Sequence, residues 1–307
     1  MELTKNFVKA KRPCADGYRW FIRHGQDNCD YQHLLDALVA DGRVDDACWL
    51  LTQFGPTDAL LALDALEADA IVFAGSLQVR AGIDIAGVLR AGRTIRAGGG
   101  IRAGGTIVAG EDIESAAGVF GGAMLDAGGH LKAAWGIEAE GAIRCGGNLR
   151  AGWDLRGAAS IEIAGGAAIG QDLVAQGAVG CGKGLRAGGA IDVRDTVRAG
   201  HGIEAGASID CGRHLEAGWG IRSRGAILAA GAIKAGESLH AEEEIRAGAG
   251  YGIFAGLDVR VDAWEASAKV FAGRRPEGLM SGWWEGAAAT SSHPHRATRA
   301  ASTSPPR

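Results

Sequence analysis

The chain has 307 residues, of which 51 are Gly, only 6 are Pro and just 6% are aromatic. A formal net charge of −4 predicts no general attraction to nucleic acid or to a membrane surface. No apolar run approaches the roughly 18 residues of a membrane-spanning helix, and the first residues contain no apolar signal region, so we expect a cytoplasmic protein with reduced thiols. Apolar residues make up 47% of the chain, which predicts a buried core built mostly from small side chains.

Residues 1–66 are predicted to form an N-terminal cap domain of three or four helices. We expect this domain to pack Leu61, Leu63 and Leu66 onto the repeat region that follows and to cover its open end. Apolar residues recur at helical spacing in three segments that Gly42 and Gly55 punctuate, namely residues 17–24, 31–41 and 44–54.

Residues 67–262 are dominated by a six-residue repeat. In steps of six from Ile71 to Leu257, 30 of 32 positions are Ile, Leu or Val, the exceptions being Ala167 and Tyr251. A small residue follows two positions later, a charged residue often separates the two, and glycine comes next, as in IRAGGT at 101–106. This alternation is typical of short strands with the aliphatic and small residues facing inward, and we expect the glycines to adopt positive φ at tight corners. The repeat therefore predicts a β-solenoid.

The charges between the inward positions predict the size of one coil. Outward residues 18 positions apart form ten opposite-charge pairs and two like-charge pairs. At an offset of 12 there are seven opposite-charge pairs and ten like-charge pairs. Because stacked like charges are unfavourable, we expect a mostly β, single-stranded, three-sided parallel β-solenoid with about 18 residues per coil and about ten coils. Its narrow interior leaves no room for a ligand, so we predict no cofactor.

Residues 263–286 depart from the repeat and are predicted to form a C-terminal aromatic cap. Bulky side chains return in this segment, including Trp264, Phe271, Trp283 and Trp284. Residues 287–307 contain three Arg, three Pro and no acidic residue, so we expect a disordered tail.

The sequence IRAGGGIRAGGTIVAGEDI at residues 95–113 resembles the β-solenoid repeats of bactofilins, which are polymer-forming bacterial cytoskeletal proteins. It is also similar to the solenoid of the flagellar assembly protein A family. The resemblance covers the repeat region alone and implies a structural role. A bactofilin-like protein would have open ends for head-to-tail polymerisation, whereas we expect this rod to be capped at both ends.

An enzyme is a further alternative. Hexapeptide-repeat acyltransferases place a small residue four positions after the aliphatic one and carry an extruded loop, and this chain has neither feature. We take His201, predicted to lie at a corner, as the position to test for acyl transfer. The run from Gly177 to Gly184 is close to a phosphate-binding loop but lacks the hydroxyl residue after Lys183.

Aromatic and imidazole side chains mark the remaining candidate sites. Exposed tryptophan is enriched at interface hot spots, so these residues are candidates for binding a protein partner: Trp135, Trp153, Trp219, His130 and His214. We predict no metal site, because the five possible ligands in the N-terminal domain form no C-x-x-C pair: Cys14, His24, Cys29, His33 and Cys48. We expect Cys145, Cys181 and Cys211 to be inward packing residues. The main hypothesis is a non-catalytic scaffold or protein-interaction module, with a homo-oligomer possible.

Overall fold

The structure is a computed structural model that describes residues 2–3, 5–24 and 29–286. Its main body is a parallel β-solenoid of about twelve coils, and four helices lie at the N-terminus. At a strand spacing of about 4.8 Å the rod is roughly 50–60 Å long. The predicted fold class is therefore confirmed, while the expected tail at 287–307 lies outside the described residues.

Each coil contributes one strand to each of three faces, which we call A, B and C; the chain enters the rod on face C and then visits faces A, B and C in turn. Face A has eleven strands: Leu66–Ala68, Ile83–Ile85, Ile101–Ala103, Val119–Gly121, Ile137–Ala139, Leu155–Gly157, Leu173–Ala175, Ile191–Val193, Ile209–Cys211, Ile227–Ala229 and Ile245–Arg246. Face B has twelve: Ile71–Phe73, Leu89–Ala91, Ile107–Ala109, Leu125–Ala127, Ile143–Cys145, Ile161–Ile163, Val179–Cys181, Val197–Ala199, Leu215–Ala217, Ile233–Ala235, Ile253–Phe254 and Leu279–Ser281. Face C has thirteen: Leu60–Leu63, Ser76–Val79, Ile95–Ala97, Ile113–Ser115, Leu131–Ala133, Leu149–Ala151, Ala167–Ile169, Leu185–Ala187, Ile203–Ala205, Ile221–Ser223, Leu239–Ala241, Lys269–Phe271 and Trp283–Trp284.

Residues 18 positions apart are register partners through most of the rod, as the charge pattern predicts. On face B, Glu216 lies between Arg198 and Lys234 in adjacent strands. Its carboxylate is 3.0 Å from the Arg198 guanidinium and 3.1 Å from Lys234 Nζ. Such exposed pairs contribute only about 0–1 kcal/mol each, so they specify register more than they stabilise the fold.

The rod interior is completely filled by the two inward residues of each strand. From Leu77 to Ile245 every inward residue is buried. At the one aliphatic position that is Ala, Ala167, the second inward residue is Ile169, so a large side chain still fills that strand's share of the core. Two inward serines, Ser115 and Ser223, donate hydrogen bonds to backbone carbonyls and are thereby satisfied.

The corner glycines between 71 and 247 do not adopt the positive φ that we expected. Among the described glycines, positive φ occurs at Gly42, Gly55 and five glycines from Gly250 onward. At the first corner position the requirement is close approach instead, because a Cβ built on Gly110 would collide with the carbonyl oxygen of Gly92 in the preceding coil. Close stacking of the coils, rather than turn handedness, thus favours glycine at Gly110, while other coils carry Ala134 or Arg194 at the same corner position.

The repeat frame ends earlier than the sequence pattern suggested. Tyr251 and Leu257, both placed in the frame by their spacing, are about half exposed and lie in no strand. Ile253 takes the inward position instead and pairs with Ile233, twenty residues before it. At the other end, the strand that begins at Leu60 lies within the segment expected to be helical.

The helical region contains α1 (Lys5–Ala10), α2 (Ala15–His24), α3 (Tyr31–Ala40) and α4 (Val44–Phe54). A short antiparallel pair joins Glu2–Leu3 to Cys29–Asp30. The amphipathic faces of the helices meet in a core whose members are large: Trp20, Phe21, Tyr31, Leu34, Leu35, Leu38, Leu50 and Leu51. Trp20 Nε1 donates a hydrogen bond of 2.6 Å to Asp41, which satisfies the polar edge of the indole.

This helical region packs on the side of the rod and not over its end, which corrects the expected cap. Helices α3 and α4 contact the first strand of face B, and the outward Val72 is buried within the helical core. Gln32 bridges the two parts, since its side chain donates to the Val72 carbonyl (3.1 Å) and accepts from the Ala74 N–H (2.8 Å). Leu61, Leu63 and Leu66 pack against the rod core but remain partly exposed.

The segment expected to be an aromatic cap extends the rod. After a 3₁₀ turn (Val261–Ala263) and α5 (Trp264–Ser267), three further strands join faces B and C. Val270 is fully buried at the end of the core, and Trp264 Nε1 donates to the Gly256 carbonyl at 3.2 Å. Trp283 and Trp284 form the last strand of face C.

Candidate functional site

Three-residue corners separate the strands, and the tryptophans singled out by sequence occupy the middle position of their corners. Trp135, Trp153 and Trp219 are 53%, 58% and 51% exposed. Because the two residues flanking each tryptophan are small or short, nothing on the corner itself covers the indole. The rod thus presents large apolar rings on a surface that is otherwise charged or glycine-rich.

The structure divides these tryptophans between two different corners. Trp135 and Trp153 lie in adjacent coils on the corner between faces C and A, with ring centroids 5.7 Å apart and planes 12° apart. Trp219 lies on the corner between faces B and C, where it stacks on His201 at 4.2 Å and 4°. The two residues of each stack are 18 positions apart, so the predicted coil length already places them in adjacent coils.

His130 and His214 have a role in the corners that sequence reasoning missed. Each occupies the third corner position, and its Nδ1 accepts the backbone N–H of the residue 18 positions later, Asn148 or Ala232. Asp112 accepts the His130 N–H in the same way, and Asp172 accepts that of Ala190. A signal was present in the sequence, since Asp, Asn, Ser and His recur at this position. Both histidines therefore hold successive coils together, whether or not they also contact a partner.

The stacked pair Trp135–Trp153 lines a groove that runs along face A. We call it the tryptophan groove; it has a volume of ≈ 930 Å³ and its floor is formed largely by corner glycines. The Arg102 guanidinium lies over the Phe120 ring at 5.0 Å, and Arg156 is bonded to Asp154 at 2.9 Å. The larger side chains along this groove include Glu67, Asp84, Arg102, Phe120, Trp135 and Glu138.

A second groove, the histidine groove, runs along face C beside the His201–Trp219 stack and has a volume of ≈ 580 Å³. Arg186, Arg222 and His240 line it together with Glu204, which is paired with Arg186 at 2.6 Å. Burial, and then the nearby Arg222 cation, lower the pKa of His240. The two aromatic corners thus border grooves of different charge.

The inward cysteines are buried, as the repeat predicted. Burial raises the pKa of Cys181 to about 12 and raises the pKa of Cys145 and Cys211 as well. Their thiols are therefore protonated at neutral pH and are poor nucleophiles. Cys145 and Cys211 donate instead to the carbonyls of Gly129 (3.3 Å) and Asp195 (3.0 Å).

Three of the possible zinc ligands of the helical region lie in different surroundings. Cys14 contacts Asp46 at 3.7 Å, His24 stacks on Trp20 at 4.5 Å, and His33 is exposed on α3. Within residues 2–3, 5–24 and 29–286, no group of three His, Cys, Asp or Glu side chains is arranged to hold a metal ion. The run from Gly177 to Gly184 is divided between a strand of face B and two corners, so it does not form a phosphate-binding loop.

The helical region contains a smaller cavity of ≈ 180 Å³ between α2, α3 and α4. Its lining is mostly apolar, with Cys14, Asp45 and Asp46 among its polar members.

Residues 1–54 match the family model of the YdhT N-terminal domain. The match ends at the last residue of α4, so the similarity to YdhT concerns the helical region and not the rod. No curated protein and no solved structure matches the chain.

No helix in the described part of the chain is both long enough and apolar enough to span a membrane.

Proposed function

We propose that the protein is a non-catalytic cytoplasmic scaffold whose rigid rod displays its aromatic corners to partner proteins. The filled interior supports this role, because every inward side chain from Leu77 to Ile245 is buried and no charged residue occupies an inward position there. The free thiols of Cys145, Cys181 and Cys211 agree with a reducing compartment.

The observation that carries the proposal is the stacked, exposed pair Trp135–Trp153 beside the tryptophan groove. Exposing two indoles on one corner is unfavourable for a free rod, since each large ring leaves apolar area in water. Tryptophan is also the residue most enriched at binding hot spots, where a ring inserted into a partner contributes several kcal/mol. A binding surface accounts for both facts.

The test uses the full chain as bait in an extract of its native cell, with quantitative mass spectrometry. The double variant W135A/W153A is expected to lose at least tenfold of a partner that wild type retains, while W219A, on the other corner, retains it. Equal recovery by all three baits would show that the Trp135–Trp153 corner is not the binding surface. Equal thermal unfolding midpoints of the three proteins are the control for folding.

Self-assembly through the rod end, as in bactofilins, is the second candidate function. It is favoured by one observation, the uncovered N-terminal end of the rod. Within the described part of the chain, the first strands of the three faces have no partner strand on their outer edge, and the inward Leu61, Leu66 and Ile71 are only partly buried. An unpaired edge with apolar side chains is a template for pairing with another chain.

Sedimentation separates this candidate from a monomeric scaffold. Filaments of wild type are expected to pellet, and Leu66→Lys is expected to prevent pelleting by placing a charge at the open end. Ala62→Lys changes an exposed, outward residue of the first strand and is the matched control. Wild-type protein that stays in the supernatant as a monomer or dimer at high concentration would exclude end-to-end assembly.

A further inference from the structure

The tryptophan groove has an excess of carboxylates that are not neutralised by the chain itself. Glu67, Asp84 and Glu138 project from face A, are exposed, and form no ion pair among the described residues. Arg102 is the register partner of Asp84, yet its guanidinium lies over the Phe120 ring instead. The remaining cation, Arg156, is the register partner of Glu138, but its guanidinium is bonded to Asp154 at 2.9 Å. Four carboxylates thus line the groove against two guanidinium groups. The groove is therefore negatively charged where a ligand would lie.

One face of the Trp135 indole is available in this groove. Trp153 stacks on one side of the ring. On the other side the corresponding corner positions of the two preceding coils are Ala117 and Gly99, which are too small to cover the ring. A flat cation placed there would meet the negative face of an indole with carboxylates nearby.

We propose that the tryptophan groove binds an arginine-bearing peptide segment of a partner protein. A guanidinium is planar, weakly hydrated and able to stack on an aromatic ring while donating to carboxylates, whereas a lysine ammonium is compact and strongly hydrated. The contact of Arg102 with Phe120 is an example of the same stacking within the same groove. Phosphate-bearing ligands are disfavoured by the three carboxylates. This inference rests on the proposed partner-binding function and specifies the chemistry of the partner.

The length of the groove sets the length of the ligand. Glu67 and Glu138 are four strand spacings apart along face A, roughly 19 Å. An extended peptide covers about 3.3 Å per residue, so about six residues span the two carboxylates. A probe of eight residues with four arginines is long enough to contact both and the Trp135 ring.

The experiment measures binding of acetyl-(Gly-Arg)4-amide to the full chain by calorimetry. A second peptide replaces each arginine with citrulline, which has nearly the same shape but no charge. The arginine peptide is expected to bind at least tenfold more tightly than the citrulline peptide. Trp135→Ala is expected to weaken binding at least tenfold, and Trp219→Ala to leave it unchanged.

Isosteric variants test the carboxylates without disturbing the corner. Asp84→Asn and Glu138→Gln are each expected to weaken binding several-fold, whereas Asp192→Asn, an exposed acid farther along face A, is expected to have no effect. Equal affinity for the arginine and citrulline peptides, or equal losses in Asp84→Asn and Asp192→Asn, would overturn the inference.

Failure of the arginine-peptide proposal can be distinguished from failure of the proposed partner-binding function. If W135A/W153A loses its cellular partner but the arginine peptide does not bind, the corner is a binding surface and the cationic chemistry is wrong. If neither binding is affected by the tryptophans, both proposals are wrong.

Discussion

The helical region and the rod bury their apolar residues in opposite ways. In the helical region a small set of large side chains, with Leu35 and Tyr31 at the centre, contact one another across four helices. In the rod, most strands add one large and one small side chain to a continuous column, while a few, such as Ile83–Ile85 and Ile161–Ile163, add two large ones. The backbone of each strand pairs only with the coils before and after. A core of the first kind is expected to unfold cooperatively as one unit. In a solenoid, each coil is stabilised mainly by contacts with the coils on either side of it.

Matched leucine truncations are expected to show the largest difference. Leu35 in α3 and Leu131 on face C are both fully buried, and truncation of either to Ala is expected to cost about 2–5 kcal/mol. In Leu35→Ala, hydrogen exchange should speed up throughout α1–α4, while in Leu131→Ala it should speed up mainly in the neighbouring coils. Uniform loss of protection along the whole rod in Leu131→Ala would contradict the nearest-neighbour description.

The junction of the two regions gives the next effect. Gln32→Ala removes the acceptor for the Ala74 N–H and the donor to the Val72 carbonyl, in a place where Val72 and Ala74 are buried. Unsatisfied buried backbone groups cost about 1–3 kcal/mol each, so the helical region should detach more often. Limited proteolysis between Phe54 and Leu60 is expected to accelerate. The matched control is Gln53→Ala, at the end of α4, which should not change the rate.

Corner glycines offer a smaller effect within the rod alone. Gly110→Ala places a Cβ against the Gly92 carbonyl, whereas a Cβ on Gly100 meets the Gly118 oxygen at an ordinary 3.6 Å. We expect Gly110→Ala to destabilise by about 1–3 kcal/mol and Gly100→Ala by much less, as measured by chemical denaturation. Other coils tolerate Ala at the position of Gly110, for example Ala134, so a local shift and not unfolding is expected. Equal losses in the two variants would refute close approach as the cause.

The charge ladder should give the smallest effect. Partial burial alone would raise the pKa of Glu216, but hydrogen bonds from Lys234 and Arg198 outweigh it and hold this pKa below its usual value. A depressed folded-state pKa stabilises the fold at pH values above the unfolded pKa, and that stabilisation is lost as pH falls through the folded pKa. Glu216→Gln is therefore expected to lose at most about 1 kcal/mol at pH 7 and nothing at strongly acidic pH. A loss that persists unchanged in acid would show that packing, not charge, is responsible.

Much of the rod could be predicted because its sequence repeats what its structure repeats. One strand geometry places Ile or Leu and then a small residue inward, and it pairs charges 18 residues apart. The same pattern recurs from coil to coil, so the sequence shows it repeatedly. The ends could not be predicted in this way. The six-residue spacing continues to Tyr251, but the strand there does not begin at that residue. It begins at Ile253, which therefore takes the inward position and pairs with Ile233.

The candidate site was predictable in its residues and in their pairing, but not in its ring geometry. Trp135 and Trp153 are 18 residues apart, as are His201 and Trp219, so the predicted coil length already places each pair in adjacent coils. Only the structure shows that the rings stack, with centroids 5.7 Å and 4.2 Å apart. The bonds from His130 and His214 to the next coil depend on a corner geometry that spacing alone does not specify.

The period of six and the opposite-charge pairing at an offset of 18 together determined a three-sided parallel solenoid with 18 residues per coil, because three six-residue units per coil stack opposite charges on adjacent strands. The tertiary structure decided the rest: that the helices lie on the side of the rod, and that two aromatic stacks border grooves of different charge. These features arise from contacts between residues far apart in the chain, such as Gln32 with Val72. A local sequence pattern does not contain the energies of such contacts.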